Sequence, residues 1–178
     1  LTGLPIDPYF SGTKMNWLLK NNEKIQKNAN EDNLRLSTIE TYILYRLTAG
    51  DTFATEPSNA SRTLLFDIHR GDWSEELCEL FGVQKNFLPE IKDSFGEFGQ
   101  TRGLSFLPDG IPVAGILGDQ QSALFGQACY QKGEAKCTYG TGSFMLVNTG
   151  EKPQTSDNGL LTTVAYRHKG KLYYALEG

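Results

Sequence analysis

Ile111-Pro112-Val113-Ala114-Gly115-Ile116-Leu117-Gly118-Asp119-Gln120-Gln121-Ser122-Ala123-Leu124-Phe125-Gly126 sets an apolar run directly ahead of a Gly-Asp turn and a helix-like segment. Residues 111–117 have the length and continuous apolarity of a strand buried on both faces, and residues 120–130 carry a helical pattern. Strand, tight turn and helix in that order belong to an open α/β sheet, where ligands sit at the carboxyl ends of the strands. Asp119 occupies that position.

Downstream the hydrophobic period changes to 2. Residues 135–139, 143–148, 161–167 and 171–176 read as strands, with a glycine turn after the first and His168-Lys169-Gly170 between the last two. This succession of strands after a helical first part predicts a new domain or subdomain beginning near residue 131, giving units at 1–130 and 131–178. Upstream, residues 13–19 predict a helix that decays into a solvated Asn-rich and Lys-rich loop up to Asn33. Ser37-Thr38-Ile39-Glu40 has the form of a capping box, with Ile39, Ile43, Leu44 and Leu47 on one helical face and Gly50 as the stop. Residues 52–55 read as a short strand and 57–62 as a polar loop. A further helix is expected at 74–81, with Ser74 as N-cap, Glu75 and Glu76 at the positive end of its dipole and Gly82 at its C-cap. The Pro and Gly residues from Pro89 to Gly110 punctuate a stretch with little regular structure.

The 178 residues carry a formal net charge of -4, with 39% hydrophobic and 21% charged side chains, the balance of a soluble globular chain. No basic cluster offers a footprint for nucleic acid, and residues 111–117 fall far short of the roughly 20 apolar residues of a membrane helix. Three cysteines, Cys78, Cys129 and Cys137, form no C-x-x-C pair and suggest neither a disulfide framework nor a zinc site, which points to a reducing cytoplasm. The chain opens at Leu1 and closes directly after a strand-like run, so it reads as a piece of a longer protein.

Asp119 reads either as the N-cap of the following helix or as a catalytic carboxylate, and the two roles are compatible. In Tyr139-Gly140-Thr141-Gly142-Ser143, two glycines between strands let backbone N–H groups approach an anion, although a ligand-free hairpin turn has the same composition. Pro8-Tyr9-Phe10-Ser11-Gly12-Thr13-Lys14 joins aromatics, hydroxyls and a lysine in a turn that lines a polyol pocket or merely buries its rings. His69 and His168 stand apart from any Cys or carboxylate cluster, so no metal site is expected.

The ordered set is more specific than any member. Residues 6–14, Asn59-Ala60-Ser61-Arg62-Thr63, Gly118-Asp119-Gln120-Gln121, Thr138-Tyr139-Gly140-Thr141-Gly142, Asn148-Thr149-Gly150-Glu151-Lys152 and Gly159-Leu160-Leu161-Thr162-Thr163 together resemble the glycerol kinase branch of the FGGY carbohydrate kinases across essentially the whole chain. The resemblance implies an α/β, actin-like ATPase fold of ribonuclease-H-like domains. Residues 1–130 would be the later part of the polyol-binding domain, and 131–178 the beginning of the nucleotide-binding domain.

The same resemblance implies a cytoplasmic, homo-oligomeric kinase that uses ATP and Mg²⁺ to phosphorylate glycerol, without nucleic-acid or membrane partners. Asp119 would be the catalytic carboxylate and, with Tyr9, Gln120 and Phe144, would bind the polyol. Thr141, with Gly140 and Gly142, would lie at the transferred phosphate. A kinase for a longer sugar such as xylulose or ribulose, or a non-catalytic actin-like binding domain, remains the alternative. The family's Asp-Gly-Thr-Thr phosphate loop and the Arg-Glu pair that clamps glycerol are not among these residues. No residue is assigned to Mg²⁺. Relatives bind fructose 1,6-bisphosphate through an arginine, or accept phosphate on a histidine, in the loop before the buried strand. Here Gly110 stands where that arginine would fall, and residues 102–110 contain no histidine, so neither control is expected.

Overall fold

The computed structural model describes all residues from Leu1 to Gly178. Helix α1, Ser11–Asn21, is followed at once by α2, Glu23–Asn30. The expected loop is therefore helical. Asn22 caps α2 by accepting from the Ile25 N–H, Glu23 lies in its first turn, and Ile25 and Ala29 pack on the main core. Gly12 lets α1 approach closely: its N–H donates to the Thr63 carbonyl at 2.7 Å, and a Cβ there would stand 2.6 Å from that oxygen.

Helix α3, Ile39–Leu47, forms where expected but turns a different face inward. Thr41, Leu44 and the following Thr48 are buried, whereas Ile39 is 70% and Ile43 50% exposed. The capping box is absent as well. Glu40 accepts instead from the hydroxyls of Thr38 (2.6 Å), Thr41 (3.1 Å) and Thr55 (2.7 Å), a set of hydrogen bonds that makes the threonine face the inward one.

Strand β1, Ala54–Thr55, leads into the short helix α4, Pro57–Ala60, where a polar loop was expected. Glu56 nucleates this turn by accepting from the Ser58 and Asn59 N–H groups, and Pro57 supplies a helical first residue. Strands β2 (Phe66–Asp67) and β3 (Asp72–Trp73) pair antiparallel, and α5, Glu75–Leu80, begins at Ser74, which accepts from the Leu77 N–H. Strand β4, Glu90–Ile91, pairs parallel with β1. Strand β5, Phe95–Gln100, pairs antiparallel with β6, Pro112–Gly115, so residues 89–110 hold more regular structure than expected.

The expectation that residues 111–117 form a strand buried on both faces is not met. β6 is hydrogen-bonded to β5 alone and is mostly exposed; only Val113 and Ile116 lean on a small cluster of Leu44, Ala54 and Phe98. One covered face suffices for an apolar run in a two-stranded pair. Helix α6, Asp119–Gly126, follows after Gly118, completing the strand, turn and helix order.

Four antiparallel strands close the chain: β7 (Ala135–Tyr139), β8 (Ser143–Gly150), β9 (Leu161–His168) and β10 (Lys171–Glu177), in the order β7-β8-β10-β9. Val164 of β9 and Tyr174 of β10 enter the same core as Leu65, Phe66 and Trp73. Polar pins reinforce this seam. Tyr174 Oη donates to the Ile68 carbonyl at 2.6 Å, and Arg167 donates to Asp93 Oδ1 at 2.7 Å and to the Gly71 and Ile91 carbonyls. The fold brings the start of α6 against strands β7 and β8, where Lys136 of β7 joins Gln120 to the Phe144 carbonyl.

Candidate active site

The start of α6 is held from below by a buried relay. Glu56, fully buried, accepts from the hydroxyls of Ser58 and Ser94 and from the Asn59 side chain as well as from backbone N–H groups. The Ser58 hydroxyl, having donated to Glu56, accepts from the Gly118 N–H at 2.9 Å. The residue preceding Asp119 is thus fixed to α4. Burial pushes the Glu56 carboxyl above its ordinary value, opposed by the hydrogen bonds from Ser58, Ser94 and Asn59.

Asp119 is the first residue of α6, and Gly118, not Asp119, is its N-cap. The Asp119 side chain is exposed; Oδ1 accepts from the Gln120 N–H at 2.9 Å and Oδ2 from the Gln120 Nε2 at 3.3 Å. An acidic group here is favoured by the positive end of the helix while its oxygens stay reachable. Gln121 points the other way, donating to Thr163 Oγ1 of β9 at 3.1 Å and locking α6 to the sheet.

Lys136, overlooked in the sequence, joins the parts. It is 2% exposed, and its Nζ donates to Gln120 Oε1, to Thr138 Oγ1 at 2.9 Å and to the Phe144 carbonyl at 3.3 Å. Burial pushes the ammonium below the usual lysine range, while Glu177 and Asp119 hold it up.

Phe144 in turn lines a cavity of about 420 Å³ with Tyr9, Phe10, Arg62, Leu161 and Glu177. Arg62 pairs with Glu177 at 2.9 Å and lies over the Phe10 ring at 5.2 Å. Tyr9 meets Phe10 edge-on at 5.4 Å and is otherwise exposed. The three rings and the partly buried ion pair give the cavity both apolar surface and polar groups, as small-molecule sites have. Thr141 sits exposed at the tip of the β7–β8 turn, where the Gly140 N–H donates to the Gly142 carbonyl at 2.8 Å.

Tyr9 and Phe144 thus share one cavity, Asp119 and Gln120 contact each other, and Lys136 links Gln120 to the Phe144 backbone. Of the turn residues only Gly142 comes close to this group, beside the Phe144 ring; Thr141 and Gly140 are not brought into it. Arg62 and Glu177 were not singled out from the sequence, although Arg62 lies within the quoted Asn59-Ala60-Ser61-Arg62-Thr63 motif.

The pattern of the FGGY family of carbohydrate kinases, N-terminal domain, matches residues 1–126. The chain belongs to the FGGY carbohydrate kinases. Among curated FGGY relatives, glycerol kinase from Bdellovibrio bacteriovorus is 53% identical over 99% of the chain, and glycerol kinase 1 from Pseudomonas aeruginosa is 54% identical over the same share. The chain spans 36% of the length of each. The glycerol kinase of Plasmodium falciparum, solved with ADP, superimposes with a TM-score of 0.92 at 43% identity, covering 99% of this chain and 36% of that one. A xylulose kinase from Rhodospirillum rubrum gives 0.79 at 19% identity, covering 99% and 35%, a likeness of fold alone. The α/β fold is accordingly part of the actin-like ATPase fold of the FGGY kinases.

Proposed function

We propose that the protein carrying this chain is a glycerol kinase, which transfers the γ-phosphoryl group of MgATP to glycerol. The observation that carries this reading is the 52–54% identity to glycerol kinases along the whole chain, against 19% to a xylulose kinase of like fold. Residues 1–130 would serve the polyol and 131–178 begin the nucleotide-binding domain. The end of the FGGY N-terminal match at residue 126 and the start of the antiparallel sheet at Ala135 support that division.

In this reading the carbon chain of glycerol packs on Phe144 and beside Tyr9, while Gln120 and Asp119 meet the hydroxyls. Asp119 accepts the proton of the terminal hydroxyl as its oxygen forms a bond to the γ-phosphorus and the bond to the ADP oxygen breaks. An exposed carboxylate beside a fixed amide suits that task, since phosphoryl transfer depends on positioning and on a base within hydrogen-bond reach. Thr141 and its flanking glycines offer a hydroxyl and backbone to the transferred phosphate. Mg²⁺ would enter with ATP as part of the substrate and would offset phosphate charge, and no residue of this chain is assigned to it. The free thiols Cys78, Cys129 and Cys137 support a cytoplasmic location, and the homo-oligomeric state implied by the resemblance belongs to the same proposal.

The test is ATP consumption by the protein at the full length of its relatives, with glycerol, xylulose or ribulose as acceptor. Glycerol is expected to lead in kcat/KM by about 10² or more, because the longer pentulose does not match contacts suited to a shorter polyol. A pentulose that equals glycerol contradicts the reading, and silence with every acceptor indicates a binding domain.

A further inference from the structure

Lys136 combines three observations that its sequence position does not foretell. It is buried to 2% exposure in strand β7, it has no carboxylate within salt-bridge distance, and all its partners are neutral oxygens. A buried ammonium is costly unless its protons are satisfied, and this one satisfies three: on Gln120 Oε1, Thr138 Oγ1 and the Phe144 carbonyl. With its three donors occupied, it has none left for a substrate phosphate.

We infer that Lys136 is a positioning residue: it fixes the Gln120 carboxamide with its oxygen inward and its NH2 turned toward Asp119 and the bound polyol, so that Gln120 meets its substrate as a hydrogen-bond donor. The inference rests on the proposed glycerol site. Its chemistry is asymmetric. An ammonium has donors only, so a flipped carboxamide would set NH2 against NH3⁺ and leave a buried donor unpaired. The unflipped amide contacts Asp119 Oδ2 at 3.3 Å through Nε2. The same ammonium holds the Phe144 backbone, tying the amide that reads a hydroxyl to the strand whose ring packs on carbon. Burial, which pushes the Lys136 ammonium toward the neutral form, is opposed by the nearby Glu177 and Asp119 carboxylates. Charge and geometry therefore act together at this position.

A double-mutant cycle in the protein at the full length of its relatives tests this. Lys136→Met keeps the side-chain length without the donors. It is expected to lower kcat/KM for glycerol at least about tenfold, mainly through KM. In a Gln120→Ala background the same change is expected to cost several-fold less than in the parent, the remainder being the lost contact to the Phe144 carbonyl. An equal loss in both backgrounds, or no loss in either, overturns the inference. Should Lys136→Met fail to fold, Gln120→Glu decides: it keeps an oxygen for the lysine but cannot donate. A glycerol KM raised as far as in Gln120→Ala supports the donor role, and a KM within about twofold of the parent overturns it. The Gln120 side-chain amide signals in protein labelled with ¹⁵N-glutamine give a readout independent of turnover. They are expected to be shifted and slowly exchanging in the parent and to resemble free glutamine in Lys136→Met. If the parent consumes no ATP with glycerol, the functional reading fails while these signals still decide whether Lys136 holds the amide.

Discussion

A methyl group on Gly142 would stand 2.7 Å from the Phe144 ring, so this glycine is needed for close approach, not for turn geometry. The ring is partly exposed and can swing away, which confines the damage to the site. Gly142→Ala is expected to keep stability within about 0.5 kcal/mol, as at other exposed positions, while raising the glycerol KM about tenfold through a displaced apolar wall. Kinetics and thermal melting together check this; an unchanged KM removes Phe144 from the polyol site. Glu56 yields a pH prediction. Its folded-state pKa is raised, so the folded protein holds the proton more tightly than the unfolded chain. Its contribution is then complete below the ordinary value of 4.5 and declines as pH rises through the higher folded value. Urea midpoints between about pH 4 and 8 should show the parent losing stability relative to Glu56→Gln over that interval. A relative gain would reverse the sign of the account.

Helix α3 separates two readings of one element. The apolar pattern favours the Ile39 and Ile43 face, whereas the structure buries Thr41, Leu44 and Thr48. Leu44→Ala is expected to cost about 2–5 kcal/mol and Ile39→Ala less than about 0.5 kcal/mol, measured by chemical denaturation. Comparable costs would restore the apolar face to the core. The difference has a physical cause: the Thr41 and Thr55 hydroxyls both donate to Glu40, the Thr48 hydroxyl donates to the Leu44 carbonyl, and side-chain hydrogen bonds of this kind leave no trace in a hydropathy pattern. Strands β7 to β10 were legible because alternation and glycine turns are local signals, while two-residue strands such as β1 and β4 exist only through distant partners. Helix α2 was hidden by its polar composition, which leaves only Ile25 and Ala29 to dock. Of the proposed site, Asp119, Gln120 and Tyr9 lie within motifs visible in the sequence, and Phe144 follows just after one. Lys136 was not legible, since an isolated lysine in a strand reads as a solvated residue until its three acceptors are seen.

Across the whole molecule, the Glu56–Ser58–Gly118 relay fixes one end of α6, Gln121 fixes its inner side, and Lys136 ties Gln120 to the strand carrying Phe144. Asp119 itself takes no part in the packing, because it is exposed and its Oδ2 contacts only the neighbouring amide. The framework therefore predicts that its charge can be removed without loosening the fold. Asp119→Asn in the protein at the full length of its relatives keeps the shape but cannot take a proton. Measured together, kcat is expected to fall roughly 10²–10⁴-fold, equivalent to about 3–5 kcal/mol of barrier, with glycerol affinity less affected and stability lowered by no more than the roughly 0.3–1 kcal/mol of a charge at a helix start. A kcat within about threefold of the parent, well short of the general-base range, would contradict the assignment of Asp119 as the base of a glycerol kinase.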